Sequence, residues 1–173
     1  MPNPTLWLNH TALDDMIVEA DGAAPHETGG MLLGWENDKR NEIVVTTIVG
    51  PGPNALHTPT AFRPYAGWQQ QQLDAQYERS SGRITYLGDW HVHPRGGFGM
   101  SRRDRRTMAK TARHADARCP HPLMGLVACT DGSYRVGVWR WAPPRWPPFG
   151  HGTATPLTVR RWEPTDDETW WTV

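Results

Sequence analysis

Leu13, Met16, Ile17 and Ala20 recur at i, i+3, i+4 and i+7, one face of a helix, and predict a helix over residues 11–20. Gly22 and Pro25 are its stop signals. Residues 5–8 are short and apolar and predict a first, edge strand. Residues 28–35 are apolar and Gly-rich and predict a buried strand. Residues 42–49 (EIVVTTIV) are the strongest β stretch, broken by Pro51, Pro53 and Asn54. Residues 65–80 predict a second helix whose four consecutive Gln form a solvated face. Residues 83–92 predict the next strand, ended by Pro94. Residues 94–100 (PRGGFGM) place three glycines after a proline and are irregular.

Ser101 opens a third helix to about residue 117, with Ser at the N-cap and Asp104 in the first turn. Residues 123–129 and 134–141 form a hairpin about Asp131-Gly132. Residues 155–162 add one late strand, and the acidic tail from Glu163 frays. Up to that late strand, the order β-α-β-β-α-β-α-β-β indicates an α/β (mixed α+β) protein, a central sheet with flanking helices.

Composition narrows the classes. A chain of 173 residues is one domain in length, and its 10 Trp supply apolar bulk. No apolar run reaches the roughly 18 residues of a membrane span, and the first ten residues lack the basic and apolar regions of a signal peptide. Cys119 and Cys129 form no CxxC pair and read as reduced, mostly buried thiols, so the expected location is cytoplasmic. A net charge of zero argues against a dedicated nucleic-acid or membrane-surface binder. Residues 102–118 carry seven basic side chains against Asp104 and Asp116. Charge patterning favours a solvated helix face there over a docking surface for a polyanion or an acidic protein. Trp90, Trp139 and Trp141 read as core. Trp146, Trp162, Trp170 and Trp171 are candidates for an apolar patch serving a partner or a homodimer.

The chemistry concentrates in Asp89-Trp90-His91-Val92-His93-Pro94, followed by Ser101 and Asp104. On a strand, His91 and His93 share one face about 6–7 Å apart, so both imidazoles can meet one metal. A loop folding back brings Asp104 to the same ion. Two His, one Asp and an open position are what a catalytic zinc site needs. Zinc lowers the pKa of water towards about 7, and a base must still take the proton. Glu27, at the mouth of the 28–35 strand, is the candidate. Ser101 can donate to a developing oxyanion. Gly96, Gly97, Phe98 and Gly99 form a loop that a substrate backbone can approach closely. The remaining histidines, His57 among them, have no partner at ligand spacing; His26, beside Glu27, could line the site.

These residues resemble the JAMM, or MPN-type, zinc metallopeptidases, which include the prokaryotic JAB domains. Their motif is an upstream Glu, His-x-His, seven residues, Ser, two residues and Asp; here seven residues separate His93 from Ser101 and two separate Ser101 from Asp104. ETGGMLLG is similar to the family's Glu-bearing strand start, and Pro94 is typical. Val92 departs from the Ser or Thr of many members, but points away from the metal. The resemblance implies the MPN (cytidine-deaminase-like) fold with a central mixed sheet, over a catalytic domain of residues 1–142. A Pro- and Trp-rich extension, residues 143–173, would pack on that domain. It implies one Zn2+ held by His91, His93 and Asp104, Glu27 as general acid/base and Ser101 as the group stabilising the tetrahedral intermediate. It also implies a bacterial isopeptidase or peptidase cutting after the C-terminal Gly of a ubiquitin-like protein, with conjugation-pathway enzymes as partners in a setting such as antiviral defence. Alternatives are processing of a sulfur-carrier protein, a non-catalytic MPN scaffold, and a nucleic-acid-associated protein similar to the RadC family. The last shares His-x-His-Pro but not the flanking residues found here.

Overall fold

The computed structural model describes residues 3–94, 97–130, 132–144 and 152–163. Strand β1 (Thr5–Asn9) leads directly into helix α1 (His10–Ala23). Asn9 caps that helix, its side chain accepting from the Thr11 amide at 3.0 Å. Strands β2 (Gly29–Asn37) and β3 (Glu42–Val49) follow as an antiparallel pair. A short hairpin, β4 (Leu56–Thr58) and β5 (Ala61–Arg63), precedes helix α2 (Ala66–Arg79). Then come strand β6 (Thr85–His93), helix α3 (Arg102–Thr111) and the strands β7 (Leu123–Thr130), β8 (Ser133–Ala142), β9 (Thr153–Pro156) and β10 (Thr158–Trp162).

Eight strands form one mixed sheet in the order β10-β1-β3-β2-β6-β7-β8-β9. β9 and β10 occupy its two ends although only Leu157 separates them, so the sheet must curl until its edges nearly meet. Leu157 spans the join and donates its amide to the Val138 carbonyl at 2.9 Å. The curl encloses α1, whose Leu13, Met16 and Ala20 pack with Leu6, Leu8, Val45, Trp90 and Val127. The opposite face carries α3, where Met108 packs on Met124, Leu126 and Trp141.

Three expectations change. Residues 5–8 are not at an edge, because β10 returns to pair with β1 in parallel. The late strand is two strands, since the chain crosses from one sheet end to the other at Leu157. The third helix stops at Thr111, and a separate 3-10 turn, Ala115–Ala117, redirects the chain toward β7. Trp90 and Trp141 are buried and Trp139 partly so. Both cysteines are free and half-buried. The residues of the acidic tail beyond Glu163, Trp146, Trp170 and Trp171, and Asp131 of the hairpin turn all lie outside the described residues. No described helix is long and apolar enough to cross a membrane.

Gly30 shows how closely β2 meets β3: a Cβ there would collide with the Val49 carbonyl oxygen. Gly22, near the end of α1, has nothing within 4 Å of the same position. Gly30→Ala should therefore destabilise the protein by about 1–3 kcal/mol, as overpacking does. Gly22→Ala should stabilise it by up to about 1 kcal/mol. Thermal or urea unfolding of the two variants measures both signs.

Candidate active site

The site grows from β6, which lies between β2 and β7. Its side chains alternate: Trp90 and Val92 enter the α1 core, and Asp89, His91 and His93 face the other way. His91 is opposite Gly29 of β2 and Leu126 of β7, so both flanking strands fix its backbone. The two imidazole Nε2 atoms lie 2.9 Å apart. The Nδ1–H of His93 donates to the Gly97 carbonyl at 2.6 Å, which leaves its Nε2 as a lone pair. Burial pushes the His91 imidazole down to about 4; Asp104 opposes this, and His93 and Arg103 add to it. Burial thus favours the neutral imidazole, which Asp104 Oδ1 approaches at 3.4 Å.

α3 delivers the carboxylate. Its cap is a reciprocal box: Ser101 Oγ accepts from the Asp104 amide at 3.1 Å, and Asp104 Oδ2 accepts from the Ser101 amide at 2.7 Å. One carboxylate oxygen is thus spent on the cap, and the other is held toward His91. The donor atoms of His91, His93 and Asp104 all lie within 4.8 Å of one another. Two imidazole nitrogens and a carboxylate oxygen, with His93 in the required tautomer, are a donor set that fits a divalent transition-metal ion.

Glu27 lies across the same cleft, an open cavity of about 460 Å³ that Ser101 and Arg103 also line. Partial burial raises its carboxyl above the ordinary range; His93 and Arg103 oppose the shift and Asp104 reinforces it. Its backbone is clamped by β4: the Glu27 amide donates to the Thr58 carbonyl at 2.8 Å, and His57 Nδ1 donates to the Glu27 carbonyl at 3.0 Å. The next residue, Thr28, is buried; its hydroxyl donates to Glu19 at 2.8 Å and its carbonyl accepts from the Val92 amide at 2.8 Å. The entry to β2 is in this way tied to α1, β4 and β6.

Several of these roles were not visible in sequence. His57 read as a loop histidine because the β4–β5 hairpin is three residues a side and carries no periodicity. Gln69 is buried, not solvated, and donates to the Gly50 carbonyl at 2.9 Å. Asp89 lines the cleft below His91, accepts from the Tyr86 hydroxyl at 2.9 Å and is pushed up to about 6 by burial. Its spacing of two from His91 was the available signal. Of the glycine loop, Gly97 serves His93, and Phe98 packs beside Trp139 and under Arg135. Gly99 has open space around it, and Gly96 lies outside the described residues. His26 is not among the cleft's lining residues.

Comparison with known proteins agrees with this geometry. A probable metalloprotease of Sinorhizobium fredii is 34% identical over 162 residues, 92% of this chain and 92% of that one. A CD-NTase/cGAS isopeptidase of Enterobacter hormaechei is 28% identical over 136 residues, covering 78% of this chain and 73% of its own. A solution structure of a protein from Desulfitobacterium hafniense superimposes with a TM-score of 0.66 at 14% identity, over 95% of this chain and 97% of the other, a likeness of fold. The family described as prokaryotic homologs of the JAB domain matches residues 10–144. The chain belongs to that family, and its mixed sheet with three flanking helices is consistent with the MPN fold.

Proposed function

We propose that this chain is a zinc-dependent peptidase or isopeptidase that cuts after the C-terminal Gly of a ubiquitin-like protein, in a bacterial conjugation pathway. The observation that carries the reading is the convergence of His91, His93 and Asp104 in a cleft that Glu27 and Ser101 also line. The relatives named metalloprotease and isopeptidase support amide hydrolysis. Those named CD-NTase/cGAS isopeptidase support the conjugation setting.

His91, His93 and Asp104 would hold the ion. When bound there, zinc would supply Lewis acidity, making water a better nucleophile and a carbonyl a better electrophile. Glu27 takes the proton of the attacking water and passes it to the leaving amine. A raised carboxyl suits the first half of that task, since burial makes it a stronger proton acceptor than an ordinary Glu. Ser101 has spent a lone pair on the Asp104 amide, which leaves its O–H free to donate to the oxyanion. A glycine-ended tail suits the cleft because its backbone can lie close to the metal without side-chain obstruction. Among the described loop positions, Gly99 has open space where a side chain would stand.

The test is a ubiquitin-like protein from the same genome fused through its terminal Gly to a reporter. Wild type should cleave after the Gly, and chelation should abolish cleavage until zinc is returned. Cleavage that persists in chelator would overturn the metal's role. Glu27→Gln should keep one zinc per chain by elemental analysis while kcat drops about 10²–10⁴-fold, the range of a lost general base. Loss of the metal in that variant would instead make Glu27 a ligand. Asp104→Ala should lose zinc and one half of the capping box, the bond from the Ser101 amide to Asp104 Oδ2, while the Ser101 cap itself stays, with a stability loss of about 0.5–1.5 kcal/mol. Unchanged zinc content would remove Asp104 from the ligand set.

A further inference from the structure

Helix α3 does more than carry Asp104. Arg102, Arg106 and Lys110 are exposed and follow one another at spacings of four, so they form one stripe along the helix, and exposed Arg113, in the turn just past its end, extends that stripe. Arg103 joins its cleft end, since it lines the same cavity as His91 and Glu27. The stripe opposes helix stability in two ways. Arg102 and Arg103 sit in the first turn, where the macrodipole disfavours cations, while Lys110 alone gains from it in the last turn. Like charges at i, i+4 repel along the stripe. The one acid of the first turn, Asp104, is buried and committed to Ser101. None of the five bases forms a salt bridge with a carboxylate among the described residues. The side-chain bond Arg113 makes is to the Ala109 carbonyl of the helix it follows.

A solvated face would mix signs, and this one does not. We infer that the α3 stripe is a docking surface for carboxylate side chains of the protein that carries the scissile bond, continuous with the cleft through Arg103. The occupant is a protein and not a nucleic acid for two reasons. The stripe opens into a cleft that would take a polypeptide, and the whole chain has zero net charge, so it lacks the long-range positive field that drives phosphate binding. A ten-residue helix spans about 15 Å, which five or six extended residues match. The continuity with a substrate cleft rests on the peptidase reading, so binding is tested apart from cleavage.

The probes are labelled peptides with a Gly-Gly core followed by six Glu or six Gln, and a 20-base-pair DNA duplex, each titrated by fluorescence anisotropy against Glu27→Gln protein. At low ionic strength the Glu peptide should bind and the Gln peptide should not. Binding should weaken about tenfold or more in R106E/K110E/R113E and vanish as salt shortens the Debye length to about 3 Å. Equal binding of the Glu peptide by that variant overturns the proposal, as does tighter binding of the duplex through the same side chains. R106E alone turns two like-charge pairs into opposite-charge pairs, so its Tm should not fall below that of wild type. A lower Tm would mean that the stripe serves the fold. Reporters carrying the same six Glu should show a lower KM with wild type than Gln reporters. If binding behaves as expected and no reporter is cut, the hydrolase reading fails and the docking surface stands.

Discussion

The period of two along β6 is the constraint on which the rest depends. A strand held on both sides cannot rotate, so burying Trp90 and Val92 against α1 forces His91 and His93 onto the opposite face. A one-residue slip would send both imidazoles into the apolar core and both apolar side chains into the cleft. The hydrophobic demand of the α1 side therefore selects the register that makes the polar site. The close approaches of Gly29 to the β6 backbone and of Gly30 to Val49 leave no space for a looser pairing.

Two secondary contacts then set the site's geometry. The capping box of α3 fixes Asp104 through a carboxylate oxygen that it does not need for His91. Helix initiation and the orientation of a candidate ligand are the same event, so the helix start cannot shift without moving the carboxylate. On the far side, Glu27 is held through its backbone by Thr58 and His57, while its side chain remains free in the cleft. That division suits a group that has to move a proton: the main chain is anchored and the carboxyl faces the cleft.

The cost of this arrangement appears as buried polarity. His91, Asp104 and Asp89 sit where charge is poorly solvated, and burial shifts His91 down and Asp89 up, each toward its neutral form. Two imidazole nitrogens on one face and a carboxylate already anchored by an amide need little rearrangement to meet a cation. The same helix carries an exposed stripe of one sign, so α3 is polar on two faces for two different reasons.

Local pattern was sufficient for most elements. The 3.6-period of Leu13, Met16 and Ala20, the β-branched run of residues 42–49 and the Ser101-x-x-Asp104 cap all encode structure through neighbours in the chain, and each matched. The metal-ligand candidates were legible because His-x-His on a strand and a first-turn Asp carry their geometry in their spacing. What distant segments decide was not legible. β1 lies inside the sheet because β10 returns to it from about 150 residues away. His57 and Gln69 act through backbone groups of residues far from them in sequence. By itself the sequence determined which side chains share a face, since strand and helix periods are properties of the local backbone. Only the tertiary structure decided which faces meet, because closing the curled sheet and pinning Glu27 opposite His91 depend on hydrogen bonds between segments that no local period relates.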